Sequence, residues 1–422
     1  MSTSPGVLTA VRWNDLCPWL LLVRAARVAL LVRVIALAVA GVFVTQWGWS
    51  AIESVLLNET EPARLARLTE RPAPALWASA DAPAPSRELF DEVDSCRFAG
   101  PLLRGWAWAI QPLTGLIRAD GWRRIVALIA AGLWVMAVWA LFGGAIARIA
   151  ALYLTRGETL GPVAALKSAV GSWVSTLAAP SFCFGVIAIF VLLLMLVGLV
   201  MRLGFLAFLA ALVWPTVLFM GVAVAIFAIG LLAGWPLMWT TIAAERTDSF
   251  DGVSRGYAFT FQRPLHFVFF LLVATALGLL AQAAVSLLVD GSLRATHWAI
   301  DRGLGDEDSK ALFLGVATPP AESLGVLDRA SAKLIRFWSA GLAALATAFP
   351  MAYLWPAAMG MYLLLRQQID STELGEVALD EGQPERGLPP LINDPATGVP
   401  TMRPAATPEP TTTVSELRGG ST

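Results

Sequence analysis

Between Ser181 and Ala244 the chain carries one charged residue, Arg202. As a single helix this run would extend about 96 Å, roughly three times the thickness of a bilayer's hydrocarbon core. It therefore has to break, and Arg202-Leu203-Gly204 followed by Trp214-Pro215 supplies the break. Spans at 181–201 and 212–236 satisfy the length. Three crossings satisfy it too, and would invert everything downstream. The whole chain is 57% hydrophobic and 14% charged, against about 25% charged for soluble domains, so the class is integral membrane.

Four further apolar runs, at 28–49, 125–147, 266–289 and 339–365, bring the expectation to an all-α integral membrane fold of about six transmembrane helices, occupying 28–369. Before the first run, residues 1–27 read as a cytoplasmic segment. Within it, 11–27 places Trp13, Leu16, Trp19, Leu20 and Val23 at helical spacing beside Arg24 and Arg27, the pattern of an interfacial helix that Pro18 can start late. Arg33 can snorkel, and no small-residue cleavage site follows closely, so the first run reads as an uncleaved anchor. Residues 50–122 and 290–337 read as outer segments. The first is proline-rich, and its apolar part around Trp106 and Trp108 either lies on the membrane surface or re-enters at Pro112. The second contains one short helical stretch, Leu324 to Phe337. Arg148, Arg156 and Lys167 after the second run fit the positive-inside rule. Both termini are then cytoplasmic, in a bacterial inner membrane. Pro350 and Pro356 bend the last span, and 370–422 reads as a disordered cytoplasmic tail.

The densest polar segment in the middle of the chain is Glu245 to Pro264. Asp248 is placed to cap a helix with Asp251 at its third position, and Asp251 and Arg255 form an i, i+4 pair. Phe250, Val253, Tyr257 and Phe261 share one face, while Asp251, Ser254, Arg255 and Gln262 face elsewhere. Pro264 ends the helix and lets the next span start at a new angle. Glu245, Asp248, Asp251 and Pro264 thus frame a structural elbow. Arg255, Arg263 and Tyr257 are its candidate contacts to lipid or a partner. Its glycines and Ser254 read as helix-surface residues. Residues 158–174 align with 245–261 on the same i, i+3, i+7, i+11 stripe, through Val163, Leu166, Val170 and Val174. This makes 125–201 and 212–289 a candidate parallel internal repeat.

Chemistry-bearing patterns are few. Gly252-Val253-Ser254-Arg255-Gly256 matches the nucleophile elbow of serine hydrolases, but that chemistry needs a strand-turn-helix setting and a histidine. The two histidines are His266 and His297, and the three cysteines are Cys17, Cys96 and Cys183. Neither set has the spacing of a metal or disulfide framework, so no catalytic residue, cofactor or metal is assigned. The span centres lack ionisable residues, which disfavours coupled ion transport. Thr275, Gln282 and Ser286 read as helix–helix hydrogen-bonding groups. A net charge of −1 gives no case for nucleic acid.

The pattern Glu245 … Phe250-Asp251 … Ser254-Arg255 … Tyr257 … Phe261-Gln262-Arg263-Pro264, after a run ending Gly234-Trp235-Pro236-Leu237, resembles uncharacterised polytopic inner-membrane proteins of planctomycete-type bacteria. Trp13 … Leu16-Cys17-Pro18-Trp19 is similar to their N-termini. More distantly, the elbow resembles the membrane domain attached to some glycerophosphodiester phosphodiesterases, whose catalytic domain is absent. The resemblance implies a fold and a location and no activity. The expected function is non-enzymatic: an interaction or membrane-organising role at the inner leaflet, with membrane lipids and another membrane protein as the classes of partner. The alternatives are a transporter or flippase-like carrier of an apolar or lipidic substrate and, third, a lipid-acting enzyme.

Overall fold

The computed structural model describes residues 17–57, 100–117, 119, 121–202, 204–304, 326–370, 391–393 and 400–402. The chain divides into two units, Met1–Ala378 and Leu379–Thr422. In the first, the described elements are α1 (Leu20–Ala29), α2 (Val32–Leu56), α3 (Gly100–Ile117), α4 (Trp122–Arg156), α5 (Pro162–Val200), α6 (Gly204–Leu212), α7 (Trp214–Glu245), α8 (Ser249–Gln262), α9 (Pro264–Leu304) and α10 (Val326–Ile369). Helices α2, α4, α5, α7, α9 and α10 are long and apolar enough to cross a membrane. The fold is all-α and integral to the membrane. At nine residues, α6 reaches only about 13 Å, so 181–244 crosses twice, through α5 and α7. In the second unit, β1 (Leu391–Asn393) pairs antiparallel with β2 (Pro400–Met402). The rest of the expected tail beyond Asp370 lies outside the described residues.

Several boundaries differ from the sequence reading, each for a local reason. Helix α9 continues to Leu304 and α10 begins at Val326, so much of 290–337 is helix: Asp290 and Arg294 sit at helical spacing and no proline intervenes. Residues 11–16 lie outside the described residues, and α1 starts at Leu20, after the turn at Pro18 and Trp19. Its buried face is Leu21, Leu22, Ala25, Val28 and Ala29, one position round from the expected stripe, because α1 packs against α10 as well as facing the interface. Gly360 makes that approach close: a Cβ there would meet Leu22 Cδ2 at 3.0 Å. The connector 158–174 does not form a separate surface helix. After Gly161 it runs without a break into the span as α5, since nothing between Val163 and Ala179 does what Pro264 does for α8.

Helix α3, from the segment with two open alternatives, is inside the bundle among α4, α9 and α10. Gly105 lies so close to α10 that a Cβ would sit 2.8 Å from the Pro350 carbonyl oxygen. Trp108 packs between Trp49 and Trp139 at ring separations of 5.2 and 6.0 Å. Trp139, Trp355, Trp239 and Trp235 carry the aromatic contact onward across α4, α10 and α7. Tryptophan rings, rather than polar groups, therefore fill the centre of the bundle.

Prolines within spans free carbonyls four residues earlier, and in lipid each freed carbonyl needs another donor. Pro236 frees Leu232 O, and the Trp106 indole of α3 donates to it at 2.9 Å. Pro350 frees Ala346 O, and Gln282 of α9 donates to it at 3.2 Å. Gln282 thus has the helix–helix role expected of it. Trp106→Phe is expected to destabilise the protein by about 1–2 kcal/mol, read as a fall in unfolding midpoint in detergent. Adding Pro236→Ala, which restores an amide for Leu232 O, should recover part of the loss. A double variant no more stable than Trp106→Phe alone would refute this account of the kink.

Candidate functional site

Helix α7 ends on Glu245 under unusual local control. Arg148 of α4, 1% exposed, donates to the carbonyls of Ala243 and Ala244 at 3.1 and 3.3 Å. It answers orphan groups at the helix end, so it is a buried structural donor and not the surface marker of sidedness it resembles in sequence. Arg246 closes the helix in the left-handed region with φ 58°, a conformation that costs a non-glycine residue of order 1 kcal/mol. Its guanidinium is held by the carbonyl and hydroxyl of Ser168 on α5, at 2.9 and 2.6 Å. The chain then turns, and Asp248 caps α8 by accepting from the Asp251 amide at 2.9 Å, as its spacing predicts.

From its cap, α8 doubles back along α7 instead of lying flat as a link. The two helices meet through glycines spaced four apart on each: Gly234 faces Gly256, Gly230 makes room for the Tyr257 and Phe261 rings, and Gly252 lies against Ile242 and the Met238 carbonyl. A Cβ on Gly256 would meet Met238 Cγ at 2.6 Å, and one on Gly234 would meet the Gly256 carbonyl at 3.1 Å. This is small-xxx-small packing, which brings backbones together where lipid offers no hydrophobic drive. The apparent nucleophile elbow is therefore a helix-packing motif. Ser254 between its glycines is exposed and makes no hydrogen bond among the described residues. The buried residues of α8 are Gly252, Gly256, Phe259 and Thr260. Phe250 and Phe261, by contrast, are exposed.

Glu245 gathers the charges. Its Oε1 accepts from Arg255 Nη1 at 2.7 Å and from the Tyr362 hydroxyl, and it lies 3.0 Å from Arg366 Nε as an ion pair. Arg255 also reaches Asp251 at 3.4 Å and Asp370 at 3.8 Å. Burial opposes charge on Arg255, but the neighbouring Glu245 and Asp251 outweigh it and raise its pKa. Three helices, α7, α8 and α10, are tied together by this cluster. Of the three candidate contacts, Arg255 is thus committed inside the protein. Tyr257 is committed too: its ring fits the space left by Gly230, and its hydroxyl donates to Phe227 O at 2.8 Å. Burial pushes that hydroxyl's pKa well up, keeping it a neutral donor. Arg263 stands apart, exposed at the C-terminal cap of α8 and with no side-chain hydrogen bond or ion pair among the described residues.

Beyond Pro264, α9 leaves α7. The two helices, joined through α8, scarcely touch each other, and the gap between them is floored by α3 and α10. It holds an apolar cavity of about 380 Å³ whose walls include Trp106, Leu232, Pro236, Phe267, Leu271 and Met361. A smaller apolar cavity of about 50 Å³ lies on the other side of α3, bordered by Trp139, Trp235 and Trp239. The Phe267 amide bonds to Arg263 O at 3.0 Å, so the exposed arginine is one turn from the larger cavity's wall. No group of histidine, cysteine and acidic residues among the described residues could hold a metal. The sequence reading places Glu245 in the elbow but misses its partners Tyr362 and Arg366 and Asp370 as a partner of Arg255, although Tyr362-x3-Arg366 is a same-face spacing that a search for polar pairs near a span end would find. Comparison of the chain with protein-family models, with curated proteins and with solved structures finds no match.

Proposed function

We propose that this multi-pass membrane protein works by contact rather than catalysis, organising lipid or a membrane partner at the inner leaflet. The observation that carries the reading is the division of labour at the elbow. The Glu245 cluster uses Arg255 to fix α8 against α7 and α10. That leaves Arg263, Phe250, Phe261 and Leu265 exposed on a rigid support. A fixed cation beside exposed aromatics, at the junction between a charged helix and an apolar span, suits an anionic headgroup region. Arg24, Arg27, Arg156, Lys167 and Arg246 lie on the same end of the bundle, which supports a cytoplasmic orientation for that end in a bacterial inner membrane.

The carrier alternative asks for a polar-lined cavity between the two halves, whereas the two cavities described above have apolar walls. The enzyme alternative rested on Ser254, which is hydrogen-bonded to no base among the described residues. The test is retention of anionic lipid by purified protein, measured by native mass spectrometry. Arg263→Ala is expected to lose about 1 kcal/mol of headgroup attraction, roughly fivefold in retention, with Arg263→Lys close to the parent. Equal retention by Arg263→Ala and the parent would remove the basis of this reading.

A further inference from the structure

We infer that the gap between α7 and α9 is a binding site for one acyl chain of an anionic phospholipid, whose headgroup is held by Arg263. The headgroup half of this inference rests on the reading proposed above; the acyl half stands on the cavity alone. The walls between Trp106, Leu232, Pro236, Phe267, Leu271 and Met361 expose almost no polar atom. The polar groups near them are already used: the Trp106 indole is bonded to Leu232 O, the carbonyl that Pro236 frees. A ligand here gains nothing from donors or acceptors and must be hydrocarbon along its buried length.

The cavity holds about 380 Å³, within the range of small-ligand pockets. The cavity is open along the gap where α7 and α9 separate, and Ile229 and Leu232 on its α7 edge are 57% and 39% exposed. A chain can therefore enter sideways from the bilayer. At one end, α8 and the Arg263–Pro264 junction connect α7 to α9. From Leu265 to Val289 the only ionisable residue is His266, so Arg263 sits where polar surface gives way to apolar span. A phosphate at that boundary would find a cation with no competing carboxylate bonded to it among the described residues.

The test uses the full chain reconstituted in vesicles of equal phosphatidylglycerol and phosphatidylcholine, with a photoactivatable diazirine in the acyl chain of one or the other lipid. Adducts are located by peptide mass spectrometry. Labelling should concentrate on Leu232, Phe267, Leu271 and Met361 above the lipid-exposed face of α5. Ala233→Trp and, independently, Leu271→Trp should each cut labelling in the gap about tenfold without changing labelling on α5. Arg263→Ala should keep acyl labelling in the gap while abolishing its preference for phosphatidylglycerol. Labelling in the gap no denser than on α5, or unchanged in both tryptophan variants when they elute as folded protein, overturns the acyl site. Dense labelling with no headgroup preference in the parent protein keeps the acyl site and overturns the role of Arg263 alone.

Discussion

Glu245→Gln should destabilise the protein by about 3 kcal/mol, the largest effect expected of any single polar substitution in the elbow. The cost comes from what remains behind. Arg366, with its side chain 9% exposed, would keep a full charge without its nearest carboxylate. Arg255 is 31% exposed and retains Asp251 and Asp370, so water and those acids cushion its loss. The Tyr362 hydroxyl would face a neutral acceptor. If charge isolation is the cause, Glu245→Met combined with Arg366→Met should recover much of the loss, since an apolar pair of similar volume is often as stable as a buried ion pair. Denaturant midpoints of the single and double variants in one detergent decide the matter. A Glu245→Gln midpoint indistinguishable from the parent would mean the cluster contributes little.

Gly256→Leu should cost a similar amount, about 3 kcal/mol, by separating α8 from α7. The β-carbon alone would stand 2.6 Å from Met238 Cγ and 3.4 Å from the Gly234 carbonyl oxygen. Gly256→Ala should be milder, because a methionine side chain can shift while a backbone carbonyl cannot. Ser254→Ala, on the exposed face between the same glycines, should change stability by less than about 0.5 kcal/mol. Thermal unfolding of the three variants gives the comparison. A Ser254→Ala loss equal to that of Gly256→Leu would mean the motif does something other than pack helices.

What could be read from the sequence was whatever depends on composition over a long window or on chemistry within one turn. Six spans follow from uninterrupted apolar length, and the Asp248 cap and the Asp251–Arg255 pair follow from spacing. The short α6 decided a question that length left open. Harder to read were contacts between distant residues: Tyr362 and Glu245 are 117 positions apart, and nothing local on either announces the other. Arg148 looked like a topology marker because its count in the positive-inside rule is the same whether it faces water or a helix end. The α8 face was misassigned for a different reason. Large apolar residues mark the buried stripe of a helix in water, but in lipid they are equally at home outside, and glycines make the contact. Reading Gly230-x3-Gly234 and Gly252-x3-Gly256 together would have found it. Within segment 50–122 the sequence left α3 ambiguous, since Arg104, Gln111 and Pro112 dilute a helix that is nonetheless inserted among α4, α9 and α10.

The carbonyls freed by Pro236 and Pro350 have a consequence for how the chain is made. Trp106 precedes Leu232 in the sequence, and Gln282 precedes Ala346. In each case the donor leaves the ribosome before the kinked helix that needs it. Neither Leu232 O nor Ala346 O then has to wait bare in lipid for a partner not yet synthesised. Moving α3 to the end of the chain by circular permutation would reverse that order for α7, leaving the finished contacts the same and the assembly intermediate exposed.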